Sequence, residues 1–388
     1  MSLVAGWIPS EHTIVLAGLG AAGVLIACVL VATRDAWITP LKAHRNLVRR
    51  GVIGAVVVVV VAIGIAHLND LEELVERVER GDPVWLAVGA GAEIVSFGGY
   101  VVLTYVVHRP RAPRLDWAIA TELTLAGVVA TRVFSAGGAG GIAFTGWALH
   151  RLGMGVRLAA RQLTAFMIVL YSVYIAALFI GGIVVVTGVL PDVPTLLGVI
   201  ATVVGGLVTL LAFALVRIPG DLERRVEGLA QRKGWVGRLA ARLATVPQVA
   251  GTGARLALSI VRGQPTVLLW SLVWWAFDVA TLWATFHAFG EPPATGTLVL
   301  CYFLGQMGNL LPLPGGVGGA EGGMVGAFAA SGVDAGLALL AVVSYQLIST
   351  YLPALPGLGS YLDLRRRMRS WEADEAASLD AIEAQPSG

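Results

Sequence analysis

The sequence predicts an all-α, polytopic integral membrane protein, and three observations predict it: the apolar fraction, the length of the apolar runs and the confinement of basic residues to a few linkers. Of 388 residues, 56% are hydrophobic with glycine left out and 13% are charged. Soluble domains run at roughly 45–50% with glycine included and about 25%. No water-soluble core of this size hides that much apolar surface. A helix needs about 20 mostly apolar residues to cross roughly 30 Å of hydrocarbon, and runs such as GVIGAVVVVVVAIGIA at 51–66 recur along the chain. Inside lipid a helix satisfies its own backbone, which makes it the element such runs must form.

Basic residues crowd 34–50, 109–114, 151–161, 217–262 and 365–369, whereas the linkers 188–194 and 290–296 hold none. Short loops rich in Lys and Arg stay in the cytoplasm, so the path starts outside and ends with a cytoplasmic C-terminus. The first apolar run, Ile14 to Ala32, has no Lys or Arg before it and reads as a retained helix rather than a signal peptide. Between Asn69 and Asp82, Leu71, Leu74, Val75 and Val78 recur at helical spacing beneath a mostly acidic face, which predicts a short amphipathic helix on the outer surface.

Nine long spans follow: 14–33, 51–67, 84–107, 115–135, 163–187, 195–216, 266–289, 296–311 and 334–362. Two shorter pieces, Ile142 to Arg157 and Ala320 to Ser331, reach only about 18–24 Å at 1.5 Å per residue and are half-helices or tilted spans. From 220 to 264, apolar residues at helical spacing beside Arg and Lys predict cytoplasmic interfacial helices. The expected organisation is a membrane helix and basic loop over 1–50, a transmembrane domain over 51–365 and a disordered acidic tail over 366–388.

Both short pieces follow one glycine pattern, Ser135-Ala-Gly137-Gly138-Ala-Gly140-Gly141 and Leu313-Pro314-Gly315-Gly316-Val-Gly318-Gly319, offset by 178 residues. On the charge-assigned path the first lies at the outer end of its span and the second at the inner end, an inverted repeat of broken helices. That arrangement is a transporter signature. Glycine tolerates unusual dihedrals where a helix stops and restarts inside protein. A helix starting just after the break aims free N–H groups and a positive dipole end at the gap, which suits a phosphate. A tight packing corner is the plainer alternative.

Signs of catalysis are absent. The Gly18-x-Gly20-x-x-Gly23 match lies within the first membrane helix, without the strand that dinucleotide binding requires, and fits close helix packing better. No phosphate-binding G-x-x-x-x-G-K-[ST] loop and no G-x-S-x-G elbow occurs. The six histidines lack metal-ligand spacing, and Cys28 and Cys301 stand alone in apolar runs. No catalytic residue, metal, cofactor or nucleic-acid partner is expected.

Charge inside the apolar runs is the more telling feature. Glu93, Glu122, Arg132, Asp278 and Glu321 lie within or at the edge of spans, where each costs roughly 2.5–3.5 kcal/mol at a lipid-facing helix centre. Together they would rival the ~5–15 kcal/mol that stabilises a typical fold. They must face a polar interior, pair, or sit near headgroups, and the first two options imply a hydrated groove. Glu122 fits the interface best, while Glu321 also suits the first turn of a helix. Arg151, beside His150, is placed to snorkel from the cytoplasmic end of the first short helix.

The run Asn309-Leu-Leu-Pro-Leu-Pro314-Gly-Gly-Val-Gly-Gly-Ala-Glu321, with Val342-Val-Ser-Tyr345-Gln346-Leu-Ile-Ser-Thr-Tyr351-Leu-Pro353, resembles the lysylphosphatidylglycerol synthase transmembrane-region family, also called flippase-like membrane proteins. The earlier Gly137-Gly-Ala-Gly-Gly141 and Trp147-Ala-Leu-His-Arg151-Leu resemble that family's first glycine segment. The likeness covers about 50–365. It implies movement of a charged phospholipid between leaflets, without the soluble aminoacyl-transferase domain of bifunctional members. It also implicates Asn309, Pro314, Gly315, Gly316, Gly318 and Glu321, with Tyr345 and Tyr351 nearby. At Gln346 the chain departs from members with Arg at that place, which puts the substrate's binding mode there in question.

The expectation is therefore a lipid flippase in a bacterial plasma membrane, with membrane lipids as its partners and homo-oligomers compatible with it. Glycine amides would cradle phosphate, Arg132 would supply positive charge, and Glu93, Asp278 and Glu321 would carry protons or meet a cationic substituent. The alternative is a non-transporting scaffold for a lipid-modifying or glycosyltransferase enzyme.

Overall fold

The computed structural model describes residues 80–133, 139–217, 251–310 and 319–383, with residues 76 and 78 besides. The chain divides into two compact units at Glu79–Arg80, and the second unit, Arg80–Gly388, holds the elements below. Among the described residues no strand occurs. Five of their helices are long and apolar enough to cross a membrane.

Helix α1, Pro83–His108, starts on Asp82, whose side chain accepts from the Val84 N–H at 2.8 Å while Pro83 fills the first turn. It ends in a 3₁₀ turn, Arg109–Arg111. Two shorter helices follow, α2 (Trp117–Val133) and α3 (Ala139–Arg151). The long pair α4 (Val156–Val186) and α5 (Thr195–Arg217) comes next. Residues 251–263 form α6, and α7 spans Thr266–Phe289. Helix α8, Thr295–Gln306, tightens into a 3₁₀ turn over Met307–Leu310, and α9 covers Gly319–Ala330. Last come α10 (Ala335–Gln346), a π-helical turn (Leu347–Tyr351) and α11 (Leu352–Glu383).

Helices α1 and α7 lie antiparallel. The Asp82 N–H bonds Ala288 O at 2.9 Å at one end, and further along Ser96 Oγ donates to Trp274 O at 2.9 Å. Helix α4 joins α7 through Ser271 Oγ and Trp275 Nε1, both bonding Leu170 O at 2.8 Å, and joins α8 through Tyr174 OH to Phe303 O at 2.9 Å. Lipid tails are as apolar as leucine, so helices in a bilayer gain little from burying aliphatic side chains. Packing and such side-chain-to-backbone bonds hold them together. The outward face of α5 accordingly exposes Val203, Leu207, Leu210, Leu211 and Phe213.

The bundle has one strongly basic end, where Arg109, Arg111, Arg151, Arg157, Arg217 and Arg262 lie near helix ends. Asp82, Asp192, Glu291 and Asp334 mark the other.

Several expected boundaries move. Within the span predicted over 115–135 the described residues form α2, which starts at Trp117. Just before it Asp116 accepts from the Ile119 N–H at 2.7 Å, and the helix pairs with the basic-end half of α1 through stacked Tyr105 and Trp117 and through Thr104 and Thr124. The span predicted over 296–311 is a 12-residue α-helix ending in the 3₁₀ turn. Helix α4 starts at Val156, not 163, because Arg157 and Arg161 project outward while Ala159 and Gln162 are buried. The piece expected over 142–157 is α3, and it stops before Gly153, whose φ of +97° breaks the helix.

The tail expected to be disordered from 366 is helical to Glu383. Alanine, glutamate and arginine dominate it, and these are good helix formers. The predicted spans 14–33 and 51–67, the amphipathic helix over 69–82 except its last residues, and the interfacial stretch over 218–250 lie outside the described residues.

Candidate functional site

Helices α2 and α3 form one antiparallel arm and α8 with α9 another, and the two arms enter the bundle from opposite ends. In the first, Ile119, Leu123, Leu149, Leu152 and Met154 pack with Leu364 and Met368 of α11 near the basic end. A Cβ on Gly141 would collide with Thr131 Oγ1, so α3 lies directly against α2 near its C-terminal end. In the second arm, Thr297 lies beside Ser331 and Gly332 at the end opposite the basic one, where Cys301 Sγ meets Ser331 Oγ at 3.5 Å. Deeper in, a Cβ on Gly305 would strike Met324 and one on Gly308 would strike the backbone of Gly319. This contact is backbone on backbone, which only glycine permits.

Where the second arm meets α1, α7 and α10, a buried polar cluster forms. Glu93 and Asp278, 3% and 5% exposed, lie midway along α1 and α7 with their carboxyls within hydrogen-bonding reach of each other. Asp278 Oδ2 accepts from Tyr345 OH at 2.8 Å and also from Tyr302 OH. Glu93 Oε2 lies 2.9 Å from Thr281 Oγ1, while Glu93 Oε1 has no hydrogen-bond partner. From Tyr345 the cluster runs outward: Gln306 Nε2 donates to Tyr345 OH at 3.3 Å, and exposed Asn309 donates to Gln306 Oε1 at 2.7 Å.

A second branch starts one residue on. Gln346 Nε2 donates to Glu321 Oε1 in the first turn of α9, and Thr350 Oγ1 donates to Gln346 Oε1 at 3.0 Å. Gln346 sits at the mouth of the π turn, where the Leu352 N–H reaches back to Leu347 O. Pro353 follows and brings no N–H, which favours the wider turn. Such turns gather at functional sites because they re-aim side chains.

The structure thus brings Glu93, Asp278, Asn309, Glu321, Tyr345 and Gln346 into one connected region. It does not bring in Arg151, which is exposed at the basic end with its guanidinium 5.9 Å from the Trp147 ring centroid. Gly140 and Gly141 open α3. The side chains of Arg132 and Tyr351, together with Gly137, Gly138, Pro314, Gly315, Gly316 and Gly318, lie outside the described residues. Glu122 pairs with Arg367 at 3.3 Å near the basic end, apart from this region. Sequence reasoning missed Tyr302, Thr281 and Gln306. Tyr302 and Gln306 are one helical turn apart in an apolar run, a signal that could have found them. Among the described residues no group of three or more His, Cys, Asp or Glu could hold a metal.

The model of the family described as the lysylphosphatidylglycerol synthase TM region matches residues 51–357. A curated relative, a UPF0104 membrane protein of Methanothermobacter thermautotrophicus, is 38% identical over 101 residues. That alignment covers 26% of this chain and 29% of the relative's length.

Proposed function

Because the chain belongs to the lysylphosphatidylglycerol synthase TM-region family, and because its buried charges converge where an arm of paired helices enters the bundle, we propose that it moves a charged phospholipid or lipid-linked headgroup between leaflets. The observation that carries this reading is the cluster of Glu93, Asp278, Tyr302 and Tyr345, joined through Gln306 to exposed Asn309. A buried polar set of this kind is costly in a bilayer and persists where it serves a polar passenger. Helices α3 and α9 both begin within the glycine segments, at Ala139 and Gly319, so their first amides suit a headgroup phosphate. The Glu93, Asp278 and Glu321 carboxyls suit protons or a cationic substituent.

The reading places the basic end in the cytoplasm of a bacterial cell, by the charge of its loops, and assigns the protein no chemical step. Purified full-length chain in liposomes tests it. Fluorescent anionic, zwitterionic and aminoacylated lipids are expected to include at least one that changes leaflet faster than in protein-free vesicles. If none does, the transport reading is wrong.

A further inference from the structure

We propose that Glu93 and Asp278 form a proton-carrying pair that couples lipid movement to a transmembrane pH difference, reached by protons along the polar route Asn309–Gln306–Tyr345. The inference rests on the transport reading and adds its driving force.

Two carboxyls within hydrogen-bonding reach attract each other only if one carries a proton, and bare like charges in contact in an apolar interior repel strongly. The surrounding donors say which oxygen does what. Asp278 Oδ2 receives both tyrosine hydroxyls, so Asp278 is supplied with donors as an anion would be. Glu93 has no such supply. Its Oε1 has no partner, and its Oε2 faces Thr281, a hydroxyl with a single hydrogen. Thr281 Oγ1 also lies 3.0 Å from Phe277 O and 3.2 Å from Gly89 O. When it donates to either carbonyl, Glu93 is left without a donor. A proton on Glu93 resolves both deficits, because Glu93 then donates.

The groups facing the pair are Thr281 on α7, Tyr302 and Gln306 on α8 and Tyr345 on α10, with Glu321 of α9 reached through Gln346. The step is a proton transfer alone. A hydronium at Asn309 loses one O–H bond as an O–H bond forms on Glu93, the proton passing by water and the Tyr345 hydroxyl while the Asn309 and Gln306 amides only line the way. The proton leaves again as the Glu93 bond breaks. Its departure leaves two carboxylates sharing one site, and a cationic or protonated passenger group, or the next proton, relieves them.

Two measurements on the full chain in liposomes test this. Infrared spectroscopy is expected to show a protonated-carboxyl stretch that Glu93→Gln removes, Asp278→Asn shifts and Glu321→Gln leaves in place. Absence of a band sensitive to Glu93→Gln overturns the pair. An imposed gradient of about one pH unit is expected to shift the leaflet ratio of the moved lipid by up to about tenfold. Glu93→Gln, isosteric with the protonated acid, is expected to flatten that response. Lipid movement indifferent to the pH gradient, or following a sodium gradient instead, overturns the coupling while leaving the transport reading standing. If no lipid moves, the transport reading and the coupling fall together, and the infrared band alone decides whether the pair holds a proton.

Discussion

The two arms share a glycine pattern and enter from opposite ends, yet they carry different things. The α2–α3 arm is bound by apolar contacts, with Ala112, Leu115, Ile119, Leu149 and Met154 buried against Leu364 and Met368. Its described polar bonds are mostly local, such as Thr131 Oγ1 to Gly127 O at 2.8 Å, with a long Thr124–Thr104 contact of 3.5 Å to α1 and, at the rim, Glu122 meeting Arg367. The α8–α9 arm sends Tyr302, Gln306, Asn309 and Glu321 into the polar cluster. Repetition in sequence has therefore given two similar backbones unequal duties. In the described residues, the first arm is a wall and the second carries the site.

The comparison can be broken most forcefully at the backbone contact inside the second arm. Gly308→Val drives a side chain into Gly319 and is expected to cost at least about 3 kcal/mol, read as loss of folded protein or a large fall in Tm in detergent. Gly322→Ala, where a Cβ meets open space, should stay within about 0.5 kcal/mol. Equal effects would show that the arm is not packed backbone to backbone.

Next comes Asp278→Ala, which leaves the Tyr302 and Tyr345 hydroxyls without their acceptor. A loss of about 1–3 kcal/mol for each buried group left unmade follows. Thermal unfolding indistinguishable from wild type would mean that the cluster is already wet and loosely held. The smallest effect belongs to the first arm. Arg367 is half-exposed, so Arg367→Ala should cost under about 1 kcal/mol, and it should leave transport unchanged. A larger loss would give the wall a role beyond packing.

Much of this was legible from residues that are expensive where they stand. Glu93 and Asp278 declare themselves because a carboxyl in an apolar run needs a reason, and Tyr345 and Gln346 became visible through the resemblance. Tyr302 offered only its place one turn from Gln306, since a tyrosine in an apolar helix is otherwise ordinary until its hydroxyl is seen to point at Asp278. Thr281 stayed hidden for the same reason: a threonine usually satisfies itself on its own helix, as this one also does with Phe277 O. The tightening of α8 into a 3₁₀ turn was not legible either, because the close approach of Gly305 and Gly308 to α9 is a property of the partner helix that the apolar run itself does not record.

The most direct test of the site is the initial rate of leaflet exchange by Asp278→Asn, normalised to folded protein in the same liposomes and set beside Arg151→Ala. A translocation site at the carboxyl–tyrosine cluster predicts a fall of at least about tenfold, equivalent to about 1.4 kcal/mol in the barrier, for Asp278→Asn, with Arg151→Ala near wild type. Exchange by Asp278→Asn at the wild-type rate would contradict it and leave the cluster a structural fastening.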